Sequence, residues 1–147
     1  MVSDGSRVRQ HVESITVATR RGLTEITDDV ARVVADANVR EGLCTVFIRH
    51  TSASLVIQEN ADPAVRRDLE AFLSRLVKDG DPLFTHVAEG PDDMPSHVKA
   101  ALTRTSEQIP IVDGRLGLGT WQGIYVWEHR SAAHRRTVLV HVAGVSA

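Results

Sequence analysis

Histidine and carboxylate side chains follow two short apolar runs of this chain. His50 comes directly after a run of β-prone residues, and Glu59 and Asn60 follow the next such run. A histidine beside a carboxylate is the minimal pair for general acid–base catalysis. His50 and Glu59 are therefore candidate catalytic residues if the second strand bends or crosses so that they meet. Alternatively, His50 begins a turn, and Glu59 with Asn60 caps the helix that starts after Asp62.

A second group of ligand-type residues lies between His86 and His97. Glu89, Asp92 and Asp93 stand between the two histidines, and imidazole and carboxylate groups are ligands for divalent metals. Asp92 and Asp93 are candidate ligands for Mg²⁺. A solvated acidic loop is the alternative, because the spacing matches no compact zinc motif such as two histidines four residues apart on a helix.

Three histidines, His50, His86 and His97, would form a zinc site if the fold brings them together. Three neutral imidazoles leave one coordination position open for water, as in catalytic zinc sites, and Glu59 would then be the general base. His97 has a further candidate role, because the pattern places it in the first turn of a short helix beside Lys99. A helix N-terminus, an imidazole and an ammonium group together favour phosphate binding.

The run from Gly119 to Gly123 interrupts a predicted strand with two glycines. Glycine inside a strand weakens it and marks a bulge or the close approach of a ligand or another backbone. Thr120, Trp121 and Gln122 between the glycines supply a flat apolar face and polar groups, and they are candidate substrate-binding residues together with Asn60 and Lys99. The alternative is a bulge at a strand end with the indole buried in the core.

The hydrophobic pattern predicts ten elements in the order β-β-α-β-β-α-α-β-β-β. Strands are predicted at residues 8–18, 23–26, 43–49, 55–58, 109–112, 116–128 and 137–142. Helices are predicted from the N-cap Thr27 to residue 37, from Pro63 to 76, and from about Pro95 to 103. Because strands and helices are partly segregated, we expect an α+β fold with a largely antiparallel or mixed sheet and two to three packed helices.

Helical spacing of apolar residues predicts the buried face of each helix. These residues are Val30, Val33, Val34 and Ala37 in the first helix, Val65, Leu69, Phe72, Leu73 and Leu76 in the second, and Val98 and Leu102 in the third. The four remaining histidines are not candidate site residues. They are His11, His129, His134 and His141, of which His129 and His134 are assigned to an exposed turn.

Composition limits the class of function. The chain has 147 residues, a length that suits one domain over residues 1–147. Its net charge is −2. This balance gives no basic excess of the kind that drives binding to nucleic acids or membranes, and no apolar run approaches membrane-spanning length. The single cysteine, Cys44, lies in an apolar run, which predicts a buried, inert thiol. These features fit a protein of the reducing cytoplasm.

Three segments of the chain together resemble the YjbQ family. They are the His-Thr-Ser-Ala-Ser-Leu run from His50 through to Pro63, the Asp-Asp-Met-Pro-Ser-His-Val-Lys run from Asp92 to Lys99, and the run from Ile109 through Gly-Thr-Trp-Gln-Gly to Tyr125. The resemblance extends over residues 8–142. The Gly-Thr-Trp-Gln-Gly and His-Thr-Ser-Ala segments are specific enough that their joint occurrence indicates this family.

The resemblance implies an α+β fold that assembles as a homotrimer, with a pocket near the subunit contacts. Family members are described as secondary thiamine-phosphate synthases, which implies a weak joining of hydroxymethylpyrimidine diphosphate to thiazole phosphate with release of pyrophosphate. The family's polar positions correspond to His50, Glu59, Asn60, His86, His97, Thr120, Trp121 and Gln122.

Three functions are therefore compared. The first is the thiamine-type transferase, with Asp92 or Asp93 binding Mg²⁺, Lys99 binding phosphate and Trp121 stacking on a planar ring. The second is a metal-dependent hydrolase with the three-histidine zinc site. The third is a trimeric module that binds a metabolite without converting it. Each implies a small phosphorylated or heterocyclic ligand, and the first two imply a divalent metal, Mg²⁺ or Zn²⁺.

Overall fold

The computed structural model describes residues 7–146, and this part of the chain contains eight strands and three helices. The strands are β1 Val8–Thr19, β2 Gly22–Glu25, β3 Glu41–Ile48, β4 Ala53–Glu59, β5 Ser106–Val112, β6 Arg115–Leu116, β7 Gln122–Glu128 and β8 His134–Val145. The helices are α1 Thr27–Ala37, α2 Pro63–Leu76 and α3 Asp93–Leu102.

The strands form two antiparallel sheets. The larger sheet has the order β1-β8-β3-β5-β6, and the smaller has the order β2-β7-β4. Each neighbouring pair in these sheets is antiparallel. The α+β fold with antiparallel sheets and three helices is therefore confirmed, and the third helix is present.

The core lies against one face of the five-stranded sheet. Alternate residues of β1, β3, β5 and β8 point inward, as the two-residue period of a strand requires. Helix α1 covers them with the face predicted from its sequence, Val30, Val33, Val34 and Ala37. Cys44 belongs to this core, and burial raises the pKa of its thiol to about 11. The prediction of a buried, unreactive cysteine is confirmed.

The opposite face of the same sheet has no helix or strand packed on it within residues 7–146. We call it the outer face. Apolar side chains on it include Val12 of β1, Leu43 and Phe47 of β3, Pro110 and Val112 of β5, and Leu139 of β8. Phe47 pairs with Leu139, and Leu43 pairs with Pro110, so these residues are neighbours across strands.

The predicted strand at 116–128 is wrong, because the chain crosses from one sheet to the other within it. Strand β6 ends at Leu116 in the larger sheet, and β7 begins at Gln122 in the smaller. A turn separates them, in which the Gly119 N–H donates to the Gln122 side chain and the Gln122 N–H donates to the Gly119 carbonyl. Gly119 therefore marks a sheet-to-sheet crossing rather than a bulge in one strand. Gly123 lies inside β7, where a Cβ would come within 2.7 Å of the Glu25 carboxylate.

Two details of the helix termini depart from the sequence pattern. The N-cap of α1 is Ile26 and not Thr27, whose hydroxyl donates to Glu25 and accepts from the Ile124 N–H instead. Helix α3 begins at Asp93, two residues before Pro95. The start of α2 is as predicted, because the Asp62 carboxylate accepts from the Ala64 N–H and a proline follows it.

The predicted buried faces of α2 and α3 are mostly wrong. Only Leu73 of the predicted α2 face is fully buried, while Phe72 and Leu76 are exposed. Helix α3 buries Asp93, Pro95, Ser96 and Lys99, and its Leu102 is exposed. Polar residues therefore face the interior under α3. Within residues 7–146, none of the three helices combines the length and apolarity needed to span a lipid bilayer.

Candidate functional site

Two histidines and one carboxylate meet at the N-terminus of α3. His86 lies in the segment before the helix, Asp93 is its first residue, and His97 follows one turn later. The Oδ2 atom of Asp93 is 2.7 Å from His86 Nε2 and 3.0 Å from His97 Nε2. The ligand atoms of the three residues lie within 4.8 Å of one another. We call these residues the His–Asp–His cluster.

The hydrogen bonds of His97 determine which of its nitrogens faces the cluster. Its Nδ1 is 2.8 Å from the carbonyl oxygen of Thr51, and a carbonyl only accepts, so Nδ1 carries the hydrogen. In the neutral ring Nε2 then carries a lone pair instead of a hydrogen, so it is a hydrogen-bond acceptor, and it points at the Asp93 oxygen. Two acceptors 3.0 Å apart require a cation or an added proton between them. This is the arrangement of a metal-ligating histidine oriented by a backbone carbonyl.

Arg130, which follows β7, holds the acidic side of the cluster. Its guanidinium donates to Asp93 Oδ1 at 2.8 Å and to Asp92 Oδ2 at 2.9 Å. Burial would raise the pKa of Asp92. Hydrogen bonds from Arg130 and Ser131 outweigh this effect and hold the pKa of Asp92 well below its usual range. Burial also acts on Asp93, and hydrogen bonding with His86 and the charge of Arg130 lower its pKa in the same way. Both carboxylates are therefore ionised at neutral pH.

The two aspartates have different roles. Asp92 Oδ2 is occupied by Arg130 and by the N–H and hydroxyl of Ser131. Asp92 therefore positions Arg130, whereas Asp93 keeps Oδ2 for the histidines. Of the two predicted candidate ligands for Mg²⁺, only Asp93 therefore has an oxygen directed at the histidines, and Mg²⁺ binding by it stays a prediction.

A cleft of about 310 Å³ adjoins the His–Asp–His cluster. Its lining includes His86, Phe84, Gly90, Met94 and Pro95. Glu89 stands at the same place, with its carboxylate 3.7 Å from His86 Nε2 and largely exposed to solvent. The cluster is therefore open to a small molecule on one side and has the exposed carboxylate of Glu89 beside it.

His50 is not part of this cluster. Its Nε2 accepts a hydrogen bond from the Thr137 N–H at 2.7 Å, and Arg136 lies 3.4 Å from its Nδ1. Burial lowers the pKa of His50, and the positive charge of Arg136 adds to this effect. The predicted site of His50, His86 and His97 is replaced by one in which Asp93 takes the place of His50.

Glu59 does not meet His50, because β3 and β4 belong to different sheets. The Glu59 carboxylate accepts from the N–H groups of Ala61 and Asp62 and so shapes the start of α2. The predicted acid–base pair of His50 and Glu59 is therefore not formed. The capping alternative holds only in part, because Asp62 is the N-cap of α2 and the Asn60 side chain donates to the Gln122 carbonyl instead.

The 119–123 run lies near Glu59 and Asn60 but at the far end of β7 from the metal-type residues. Glu59 pairs with Gln122, and the Asn60 N–H donates to the Trp121 carbonyl at 3.0 Å. Thr51 and Arg130 lie just beyond the opposite ends of β4 and β7. The distance along β7 from Gln122 to that end is six residues, about 20 Å at 3.3 Å per residue. The two groups of motif residues therefore do not share a pocket within one chain. Trp121 is 62% exposed, so the core-plug alternative is also wrong.

Lys99 is only 1% exposed, although the sequence places it next to the predicted phosphate site. Burial lowers the pKa of Lys99, and the positive charge of Arg21 lowers it further. Helix α3 therefore buries most of Lys99 instead of presenting it on the surface, and its role in phosphate binding stays a prediction.

Sequence reasoning missed a buried polar pair beside Lys99. His129 is 1% exposed rather than in an exposed turn, and its Nε2 is 2.9 Å from the hydroxyl of Ser54. The sequence signal for this burial is the apolar run from Ile124 to Trp127, which ends two residues before His129 and forms the continuously buried part of β7. Arg130, which directly follows His129, was likewise not among the predicted site residues.

We expect the buried His129 to make stability depend on pH. Burial, with a smaller contribution from the charge of Lys99, lowers the pKa of His129 to about 3, whereas a histidine in the unfolded chain titrates near 6.5. Between these values the unfolded state binds a proton that the folded state does not. The free energy of unfolding should therefore fall as the pH drops below 6.5, by about 2 kcal/mol at pH 5.

Urea denaturation at pH 7 and pH 5 measures this effect. A His129→Gln variant keeps a hydrogen-bonding group for Ser54 but cannot titrate, so its loss of stability between the two pH values should be smaller. His50 and the other titrating groups are common to both proteins. Equal pH dependence of the variant and the parent chain would contradict the assignment.

The chain was compared with known proteins. The family model described as UPF0047 protein YjbQ-like matches residues 12–145. A UPF0047 protein of Synechocystis sp. is 53% identical over 145 residues, which cover 98% of this chain and 99% of the relative. The UPF0047 protein YjbQ of Escherichia coli O157:H7 is 42% identical over 128 residues, covering 86% of this chain and 92% of the relative.

Solved structures show the same fold. A YjbQ/UPF0047 protein of Clostridium acetobutylicum superposes with a TM-score of 0.77 at 35% identity, covering 88% of this chain and 98% of that one. A protein of unknown function from Sulfolobus solfataricus superposes with a TM-score of 0.82 at 24% identity, covering 94% and 99%. The chain therefore belongs to the UPF0047 family of YjbQ-like proteins.

Proposed function

We propose that this protein is a divalent-metal-dependent hydrolase of small molecules, with His86, Asp93 and His97 as the metal ligands. The observation that carries the proposal is the convergence of three potential ligand atoms within 4.8 Å, one of them on a ring oriented by the Thr51 carbonyl. Two imidazoles and one carboxylate form a ligand set that occurs in hydrolytic zinc sites.

The residues present fit a divalent ion. Arg130 binds one oxygen of Asp93 and leaves the other directed at the histidines, which keeps the carboxylate in one orientation. A divalent ion in such a site acts as a Lewis acid toward a substrate carbonyl or phosphoryl oxygen. The cleft beside His86 would place that oxygen next to the cluster.

Glu89 is the candidate general base in place of Glu59. Its carboxylate lies 3.7 Å from His86 Nε2 and is largely exposed to solvent, so an attacking water could reach it and pass a proton to it. Its own backbone carbonyl accepts from Arg130 at 3.1 Å, which anchors the loop that carries it. The same arginine therefore positions both the ligand Asp93 and the proposed base.

Metal content tests the proposal directly. Protein purified without chelators should contain close to one divalent ion per chain, and protein stripped by chelation should regain thermal stability when Zn²⁺ is added. Less than about one tenth of an ion per chain, together with no stabilisation by Zn²⁺, Mn²⁺ or Mg²⁺, would contradict a metal centre, because such sites normally fill.

The thiamine-type transferase is the second candidate function. The exposed indole of Trp121 favours it, because an accessible aromatic face can stack on a pyrimidine or thiazole ring. Metal-loaded protein would be incubated with hydroxymethylpyrimidine diphosphate and thiazole phosphate, and thiamine phosphate would be measured. Formation that is lost in Trp121→Ala supports the transferase, whereas stabilisation by either compound without product supports a metabolite-binding module.

We also propose that the chain forms a homotrimer through the outer face. Val12, Leu43, Phe47 and Val112 expose apolar surface there, and a patch of this kind typically marks a protein interface. Light scattering should give three times the 16.1 kDa chain mass. Phe47→Asp should shift the mass toward the monomer, because a charge would be buried without a partner.

The control is Phe72→Asp, the same change at an exposed phenylalanine of α2 away from the outer face. It should leave the assembly unchanged. A monomeric parent chain, or equal dissociation by both variants, would rule out this interface.

A further inference from the structure

We propose a second binding site, for a small organic anion, in the cleft between β2 and α2. This cleft measures about 390 Å³, and we call it the Arg66 cleft. The residues that line it include Arg21, Leu23, Arg66, Arg67, Glu70 and Ala71. The ligand class is a carboxylate or phosphate group carried on a small apolar body.

Arg66 is held in place by a buried aromatic residue. Its guanidinium lies 5.7 Å from the ring centre of Tyr125 and donates to the tyrosine hydroxyl at 3.2 Å. Tyr125 is fully buried and fixed in β7, so the guanidinium loses little freedom when a ligand binds. Only one of its N–H groups is used in this contact, and the others are available to an anion.

Arg67 supplies the second cationic group. Its side chain forms no hydrogen bond or ion pair with another residue in the 7–146 part of the chain, and it is exposed at the cleft. Arg21, the third guanidinium, is already bound to Asp79 and to the His129 carbonyl. Arg66 and Arg67 are therefore the two groups with free donors.

The charge and surface of the cleft define the ligand. The Glu70 carboxylate is engaged by the indole N–H of Trp127 at 2.9 Å and by the Ser74 hydroxyl. With Arg21 paired to Asp79, the lining has a net charge of about one positive unit, which favours a monoanion. Leu23 and Ala71 add apolar surface for the rest of the molecule.

This site is separate from the proposed metal centre, because none of the residues lining the Arg66 cleft belongs to the His–Asp–His cluster. Binding to it therefore does not require the proposed function. The distinction matters experimentally, since phosphates and carboxylates also bind divalent metals.

Isothermal titration tests the site with benzoate and phenyl phosphate as probes, and with phenol as the uncharged control. Either anion should bind saturably to the full chain in the presence of a chelator, and equally to an Asp93→Asn variant. Binding of one anion alone identifies its charged group as the preferred one. Arg66→Gln and Arg67→Gln should each weaken binding about tenfold, because each removes a charged hydrogen-bond donor.

Arg75→Gln is the matched control, since this exposed arginine lies on the same helix and does not line the Arg66 cleft. It should leave the affinity within about twofold. The Arg67 side chain forms no hydrogen bond or ion pair within residues 7–146, so its replacement removes no polar contact that supports the fold. The proposal is overturned if neither anion binds, if phenol binds as tightly as benzoate, or if all three arginine variants weaken binding equally.

Discussion

Replacement of Asp93 by Asn should lower the affinity of the protein for Zn²⁺ by about 100-fold or more. The change keeps the size of the side chain but removes the negative charge between His86 and His97. Carboxylates that merely orient a ligand already contribute 10- to 100-fold to metal affinity, so the loss of a direct ligand should cost at least as much. Competition with a chromogenic chelator at pH 7.5 measures the affinity.

The control for Asp93→Asn is Asp68→Asn, which removes one negative charge from the exposed surface of α2. It should change the affinity less than twofold. His97→Ala should lower the affinity as strongly as Asp93→Asn, because His97 is a proposed ligand. If the cluster holds only a shared proton, all of these variants will bind Zn²⁺ equally weakly, and the metal-centre proposal fails.

Replacement of Arg136 by Met should destabilise the protein by about 3 to 5 kcal/mol, the usual cost of removing one partner of a buried ion pair. Glu128 is fully buried and accepts from the Arg136 Nε at 2.7 Å and from a second guanidinium nitrogen. Burial would raise the pKa of Glu128, but hydrogen bonds from Arg136 and Thr19 outweigh it and keep the carboxylate ionised. Without the arginine, this charge is left without its main partner.

Arg40→Met provides the comparison, because Arg40 forms an exposed ion pair with Asp113 at 3.1 Å. Its loss should cost about 0 to 1 kcal/mol. Urea denaturation at pH 7 gives both values. Similar costs for the two variants would show that the buried pair of Arg136 and Glu128 contributes no more than a surface pair does.

The sequence predicted best where local interactions decide the structure. The 3.6-residue spacing of Val30, Val33, Val34 and Ala37 identifies the buried face of α1, and Asp62 with Pro63 identifies the start of α2. These patterns depend on neighbours within one helical turn, so they can be read without the rest of the fold. The motif residues were likewise sufficient to indicate the family.

The candidate site was predicted in part. His86, Asp93 and His97 were among the metal-type residues, but the sequence grouped His50 with the two histidines. The spacing of Asp93 and His97 is one helical turn, which brings them to one face only once the helix is known to begin at Asp93 rather than near Pro95. Arg130 reaches the cluster across a sequence separation of 37 residues, which no local pattern reports.

The sequence by itself determined the family, the α+β class, the buried face of α1 and the residue types able to bind a metal. The tertiary structure decided which of those residues meet. The crossing between the sheets at Gly117–Trp121 places the glycine-tryptophan run about 20 Å along β7 from the cluster. The tertiary structure also buries Lys99 and His129, because burial depends on elements that pack together from distant parts of the chain. Sequence patterns predict interactions between residues that are close along the chain, whereas ligand geometry and burial depend on contacts between residues that are far apart in sequence.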